Sequence, residues 1–97
     1  MANICDNSFY ATSQNKKNLE YIKDFLKKYF DVYFEEIDEE NLEAEFGSRW
    51  TFPKELMEEM FQNLPDKSDI YLRCMSVELG CSYHELWEND GSGWISV

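Results

Sequence analysis

The chain is poor in the residues most reaction chemistry needs. Its 97 residues include one histidine, three cysteines and four glycines. His84 lies between tyrosine and tryptophan neighbours, and no serine or cysteine can be placed beside it as an activated nucleophile. Gly47, Gly80, Gly91 and Gly93 form no phosphate-binding loop, because Gly-Ser-Gly at 91–93 is turn chemistry. No stretch approaches the roughly 20 apolar residues that span a bilayer, and no basic-then-apolar leader opens the sequence. Basic charge is also scarce, with 9 Lys and Arg against 20 Asp and Glu and a net charge of −11. That balance disfavours direct contact with nucleic acid or an anionic membrane. The basic-Gly-aromatic-x-aromatic pattern of RNA-binding sheets is missing too. We therefore expect no enzyme, no catalytic residue and no cofactor.

The cysteines Cys5, Cys74 and Cys81 contain no C-x-x-C. A structural zinc site wants four ligands, usually with a close cysteine pair. His84 could serve as a fourth, but Cys74 and Cys81 are seven residues apart across a strand break and Cys5 lies on another strand. An iron–sulfur cluster would need four cysteines. Buried, reduced thiols in a cytosolic protein are the simpler reading, so no metal is expected. The opening Met-Ala-Asn-Ile-Cys reads as a mature cytosolic start, which makes the cytoplasm the expected location.

Against these shortages stands a hydrophobic content of 43% with 7 Phe, 6 Tyr and 3 Trp, enough to argue against disorder despite the charge. A chain of this length makes one domain, residues 1–97, with a single core. Residues 3–12 read as a first strand. Ser13 is the expected N-cap of a helix whose apolar stripe is Leu19, Ile22, Phe25, Leu26, Tyr29 and Phe30, with Lys16, Lys17, Lys23, Lys27 and Lys28 opposite. Residues 32–37 form a candidate second strand, with Val32 and Phe34 on one side and Tyr33 on the other. A turn follows at residues 38–41. From Leu42 the alternation is clean: Leu42, Ala44, Phe46, Ser48 and Trp50 point one way, and Glu43, Glu45, Gly47 and Arg49 the other. Thr51 and Pro53 open a second helix carrying Leu56, Met57, Met60, Phe61 and Leu64, which Pro65 stops. Residues 70–79 are a further strand, and the chain ends in a hairpin around residues 88–93. The order is β-α-β-β-α-β with an extra terminal hairpin. The expected class is α+β, an antiparallel sheet with two helices on one face, in the ferredoxin-like arrangement.

Charge is distributed unevenly over these elements. Residues 1–30 carry 3 acidic and 5 basic side chains, whereas residues 31–97 carry 17 acidic and 4 basic. Glu35, Glu36, Asp38, Glu39, Glu40, Glu43 and Glu45 fall within eleven residues that include no basic side chain. Glu43 and Glu45 would project from one strand face as a fixed ladder, extended through the preceding strand end and turn. Solubility, or protection of a sheet edge against aggregation, would use the same charges.

Several residues resemble a known family. Met-Ala-Asn-Ile-Cys-Asp-Asn at the start is similar to the Met-x-Asn-x-Cys-x-Asn opening of YubB-type ferredoxin-like domain proteins. Trp50-Thr51-Phe52-Pro53 followed by Leu56, and Glu78-Leu79-Gly80-Cys81, resemble that family's Trp-x-x-Pro…Leu and Glu-x-Gly-Cys patterns. The second proline near Trp50 and the longer insert before the central strand, frequent in the family, are missing. The resemblance implies the fold and an origin on a phage, plasmid or other mobile element, and it supplies no catalytic residues.

The functional expectation joins the two lines. The protein is expected to be a non-enzymatic inhibitor that presents a DNA-mimicking carboxylate surface to the basic groove of a host nucleic-acid-binding protein, for example a CRISPR effector in the manner of an anti-CRISPR. Tyr71, Met75 and Val77, which alternate against Leu72, Cys74 and Ser76, form a second candidate interface. The terminal hairpin is expected to fold back over them. Left uncovered, together with Trp87 or Trp94, they would suit a protein interface or a homodimer acting as a structural or regulatory module.

Overall fold

The computed structural model describes residues 4–97, the Cys81 side chain excepted. Met1, Ala2 and Asn3, where the first strand was expected to begin, lie outside the described residues, as does any ligand role for Cys81. The elements are β1 (Ile4–Thr12), α1 (Lys16–Tyr29), β2 (Asp31–Ile37), β3 (Asn41–Arg49), α2 (Lys54–Gln62), β4 (Tyr71–Glu78), a short 3-10 turn (Leu79–Cys81), β5 (Tyr83–Asn89) and β6 (Trp94–Ser96). All six strands join one sheet in the order β2-β3-β1-β4-β5-β6, and every pairing is antiparallel. The fold is therefore α+β, two helices with a six-stranded open antiparallel sheet.

Period-2 alternation separates the two faces of that sheet. Phe9, Ala11, Leu42, Ala44, Phe46, Leu72 and Cys74 are buried on one face with Leu19, Ile22, Phe25 and Leu26 of α1 and Met57, Met60 and Phe61 of α2. Both helical stripes thus share one core against one sheet face, as the sequence pattern required.

A polar hub sits inside this packed layer. Asn7 is 1% exposed, and its amide donates to the Phe46 carbonyl at 3.1 Å and to Ser48 Oγ at 2.9 Å while its Oδ1 accepts from Ser76 Oγ at 2.7 Å. These bonds stitch β3, β1 and β4 together where the sheet would otherwise bury unpaired groups. Asn18 of α1 plays a similar part, donating to the carbonyls of Asp66 and Asp69 and accepting from the Asp66 N–H, so the loop before β4 is pinned to the helix.

Four local expectations are corrected. The N-cap of α1 is Asn15, whose side chain accepts from the Lys17 N–H; Ser13 is instead engaged with the Asp69 carbonyl at 2.6 Å and the Asn15 N–H at 3.0 Å. A bulge lies between Val32 and Phe34, which pair with Phe46 and Glu45 respectively. The extra residue, Tyr33, throws Phe34 onto the face opposite Val32. Trp50 does not continue the inward set of β3: the strand ends at Arg49, and Trp50 turns into the left-handed region with φ 68°. The terminal hairpin, finally, does not fold back. β5 and β6 add to the β4 edge in the plane of the sheet, where ladder hydrogen bonds satisfy their backbones. Positive φ at Gly91 (104°) and Gly93 (132°) makes their connection. Trp87 and Trp94 consequently lie on the helix side, stacked on Phe52 at 4.6 Å and edge-on to it at 5.2 Å. Trp94 Nε1 also donates to the Met57 carbonyl at 3.0 Å.

Candidate functional site on the open sheet face

The second face of the sheet carries no helix. Register places its side chains in rows across the strands. One row runs Phe34, Glu45, Ser8, Met75, Leu86, and the next runs Glu36, Glu43, Tyr10, Arg73, Glu88. Between them lies a shallow depression of about 440 Å³, bordered by Phe34, Glu43, Glu45, Arg73, Met75 and Leu86, with Ser8 and Tyr10 in its floor. Phe34 and Met75 are each 41% exposed there, well above what a packed core residue shows.

Several contacts hold the surface in shape. The Arg73 guanidinium lies 5.0 Å from the centre of the Tyr10 ring, and the Tyr10 hydroxyl donates to Asn41 Oδ1 at 2.7 Å. The Tyr71 hydroxyl donates to the Glu88 carboxylate, and that bond, reinforced by burial, raises the phenol's pKa. At the far corner the Tyr33 hydroxyl donates to Asp6 Oδ1 at 2.7 Å. Burial first, and then this carboxylate, push Tyr33 up to about 12. A side chain on the intervening Gly47 would crowd this corner, since its Cβ would sit 3.1 Å from Ile4 Cγ2.

The acidic run divides three ways. Glu36, Glu43 and Glu45 share the open face, with Glu36 directly opposite Glu43. Glu35 points to the helix side, where its carboxylate meets Lys27 Nζ at 3.0 Å; strict alternation makes neighbouring residues 35 and 36 face opposite ways. Asp38 closes the β2–β3 turn, accepting from the backbone N–H groups of Glu40 (2.9 Å) and Asn41 (2.8 Å), and these bonds lower its pKa. Glu39 and Glu40 stand exposed at the tip. The tip is tied to β1, because the Glu40 carbonyl accepts from the Ser13 N–H and the Thr12 hydroxyl.

Tyr71, Met75 and Val77 all lie on the same open face. The two surfaces expected separately are one, since Glu45 and Met75 flank Ser8 from either side. Sequence reasoning overlooked Phe34, Tyr10, Arg73 and Leu86 as members. The bulge hid Phe34; Arg73 and Tyr10 carried a usable signal, being in phase with residues already placed there.

Other chemistry finds little support in the geometry. Cys5 and Cys74 are buried on the helix side, with burial raising Cys5 and pushing Cys74 up to about 12, so neither thiol is primed as a nucleophile. His84 pairs with Val77 on the opposite face, separated from both cysteines by the sheet. Among the described residues no group of three or more His, Cys, Asp or Glu is arranged to hold a metal ion. Nor is any helix among them long and apolar enough to cross a membrane.

Fold and site together define an α+β protein with one helix-covered sheet face and one open face on which carboxylates outnumber basic side chains. Comparison with models of protein families, with curated proteins and with solved structures finds no match.

Proposed function

We propose that the chain is a non-enzymatic binding protein that uses the β2–β3 half of its open face to occupy the basic nucleic-acid site of another protein. The observation that carries this reading is the cross-strand pairing of Glu36 with Glu43, with Glu45 next along the same face. Like charges directly opposite each other destabilise a sheet by up to about 1 kcal/mol. Solubility could be met by carboxylates placed anywhere, and edge protection by charges on the edge strand alone. Neither calls for a repelling pair that sets Glu36 of the edge strand against Glu43 of its inner neighbour. The only ion pair among the described residues, Lys27 with Glu35, lies on the other side and leaves these three charges to a partner. Carboxylates fixed roughly 5–7 Å apart by strand geometry offer a rigid, closely set group of negative charges to a groove whose lysines and arginines otherwise neutralise phosphates.

The strand order supports the ferredoxin-like arrangement, with β1 between β3 and β4 and β2 at the edge beside β3. With that arrangement goes the proposed kinship to YubB-type proteins of phages and plasmids. The proposed target is accordingly a host defence protein such as a CRISPR effector, met in the host cytoplasm.

The test is capture of nucleic-acid-binding proteins from host lysate on the immobilised chain, compared with a variant carrying Glu36→Lys, Glu43→Lys and Glu45→Lys. Bound protein is expected to be displaceable by duplex DNA, lost between about 50 and 200 mM salt, and absent with the variant. Capture indifferent to all three conditions would sink the reading.

A homodimer through Phe34 and Met75 is favoured only by their exposure. The same face carries Asp6, Glu36, Glu43, Glu45 and Glu88 against Arg49 and Arg73. A two-fold contact would set a net negative surface against its own copy.

A further inference from the structure

The depression on the open face specifies which side chain a partner inserts, given the proposed reading of that face as a partner surface. Ser8 is the smallest side chain in its row and stands between Glu45 and Met75, so the floor is low between taller neighbours. Met75 gives the floor an apolar flank that suits a methylene stem, and Phe34 closes the other end of the depression beside Glu45. Glu43 and Glu45 sit two residues apart on β3 and project from the same side of the strand. Arg73 occupies the opposite border, held over the Tyr10 ring, and its charge directs an incoming cation to the glutamate side.

We infer that this depression receives a single arginine side chain of the partner. Its stem crosses Ser8 beside Met75, and its guanidinium reaches Glu43 and Glu45 with the Phe34 ring next to them. The planar five-donor fork of arginine can bond two carboxylates in a fixed geometry while stacking on the exposed Phe34 ring; the compact, strongly hydrated ammonium of lysine has no plane to stack and holds the carboxylates less specifically. An apolar side chain would bury the glutamates without a counter-charge, and an anionic one would be repelled.

The experiment is a titration of the full chain, 15N-labelled, with the blocked peptide Gly-Ser-Arg-Ser-Gly and with its citrulline and lysine analogues, followed by NMR. Saturable shifts are expected at Ser8, Phe34, Glu45 and Met75 with the arginine peptide. Citrulline should bind at least about tenfold more weakly, because a charged hydrogen-bond pair is lost, and lysine should fall between the two. Ser8→Phe fills the floor without changing any charge and is expected to weaken the arginine peptide by a similar factor. Ser8→Leu is the substitute should the larger ring disturb the fold, which the same spectrum reports. Equal binding of the arginine and lysine peptides, no effect of either Ser8 variant, or no saturable arginine binding would each overturn the arginine socket. Partner capture that survives both Ser8 variants but is lost on reversing the three glutamates would retain the acidic-face reading without it.

Discussion

Asn7 shows how a single residue can mislead a pattern and then hold the structure together. In sequence, Asp6, Asn7 and Ser8 blur the alternation of the first strand. In the fold only Asn7 faces the core, and there it bonds to β3 and β4 simultaneously. Polar identity cannot reveal this, because a buried amide with complete partners and an exposed one look alike as letters. Asn7→Ala is expected to cost about 3 kcal/mol, since it strands several buried partners at once. A urea titration reads this as a lowered midpoint at unchanged slope. The Ser13 and Asn15 exchange at the start of α1 has the same origin: both are good caps, and the choice was made by Asp69, which engages Ser13 from 56 residues away in sequence.

At the scale of elements, the apolar stripes were legible except at their ends, where Tyr29 and Trp50, expected on the buried sides of α1 and β3, are 42% and 47% exposed. Leu19, Ile22 and Leu26 on α1, Met57 and Met60 on α2, and Leu42, Ala44 and Phe46 on β3 are buried as their spacing dictates. A bulge leaves no such mark, so β2 was assigned the wrong side for Phe34, and with it an apolar wall of the site was missed. The β2–β3 hairpin also couples stability to binding. Glu36→Lys replaces a repelling cross-strand pair by an attracting one and is expected to stabilise the fold by roughly 0.5 kcal/mol. The same change should weaken partner capture. Thermal melts and capture measured on this one variant must move in opposite directions; a substitution that lowers both would assign Glu36 a structural role instead.

For the whole molecule, class and element order followed from the sequence, whereas the in-plane hairpin did not. Nothing in the residues of β5 and β6 distinguishes extending a sheet from covering it until Trp94 is seen bonded to α2. The ionisable groups bound the working pH on both sides. Asp38, Asp66, Glu85 and Asp90 are held below their ordinary pKa values, in each case chiefly by hydrogen bonds that they accept. Their contribution is complete above the unfolded carboxylate values of about 4 and is lost as pH falls through the lower folded ones. Tyr33, Tyr71, Tyr83 and Cys74 are raised, with Tyr33 and Cys74 pushed up to about 12. Their contribution is complete below the unfolded values, about 8.5 for Cys and 10 for Tyr, and disappears as pH climbs through the folded ones. Melting temperature is therefore expected to be flat from about pH 5 to 8 and to fall on either side, and Asp38→Asn should soften the acid limb.

The position of β1 in the middle of the sheet sets the tempo of folding. Ile4 meets Arg49 and Asp6 meets Val77, so both flanks of the strand are supplied from far along the chain. The β2–β3 and β4–β5 hairpins close over short connections, but seating β1 between them must first overcome the entropy of two long loops. Refolding should accordingly run in the millisecond-to-second regime of non-local sheets rather than the microseconds of helical bundles. During synthesis β1 emerges before either of its neighbours exists, so the centre of the sheet cannot close until β4 has been made.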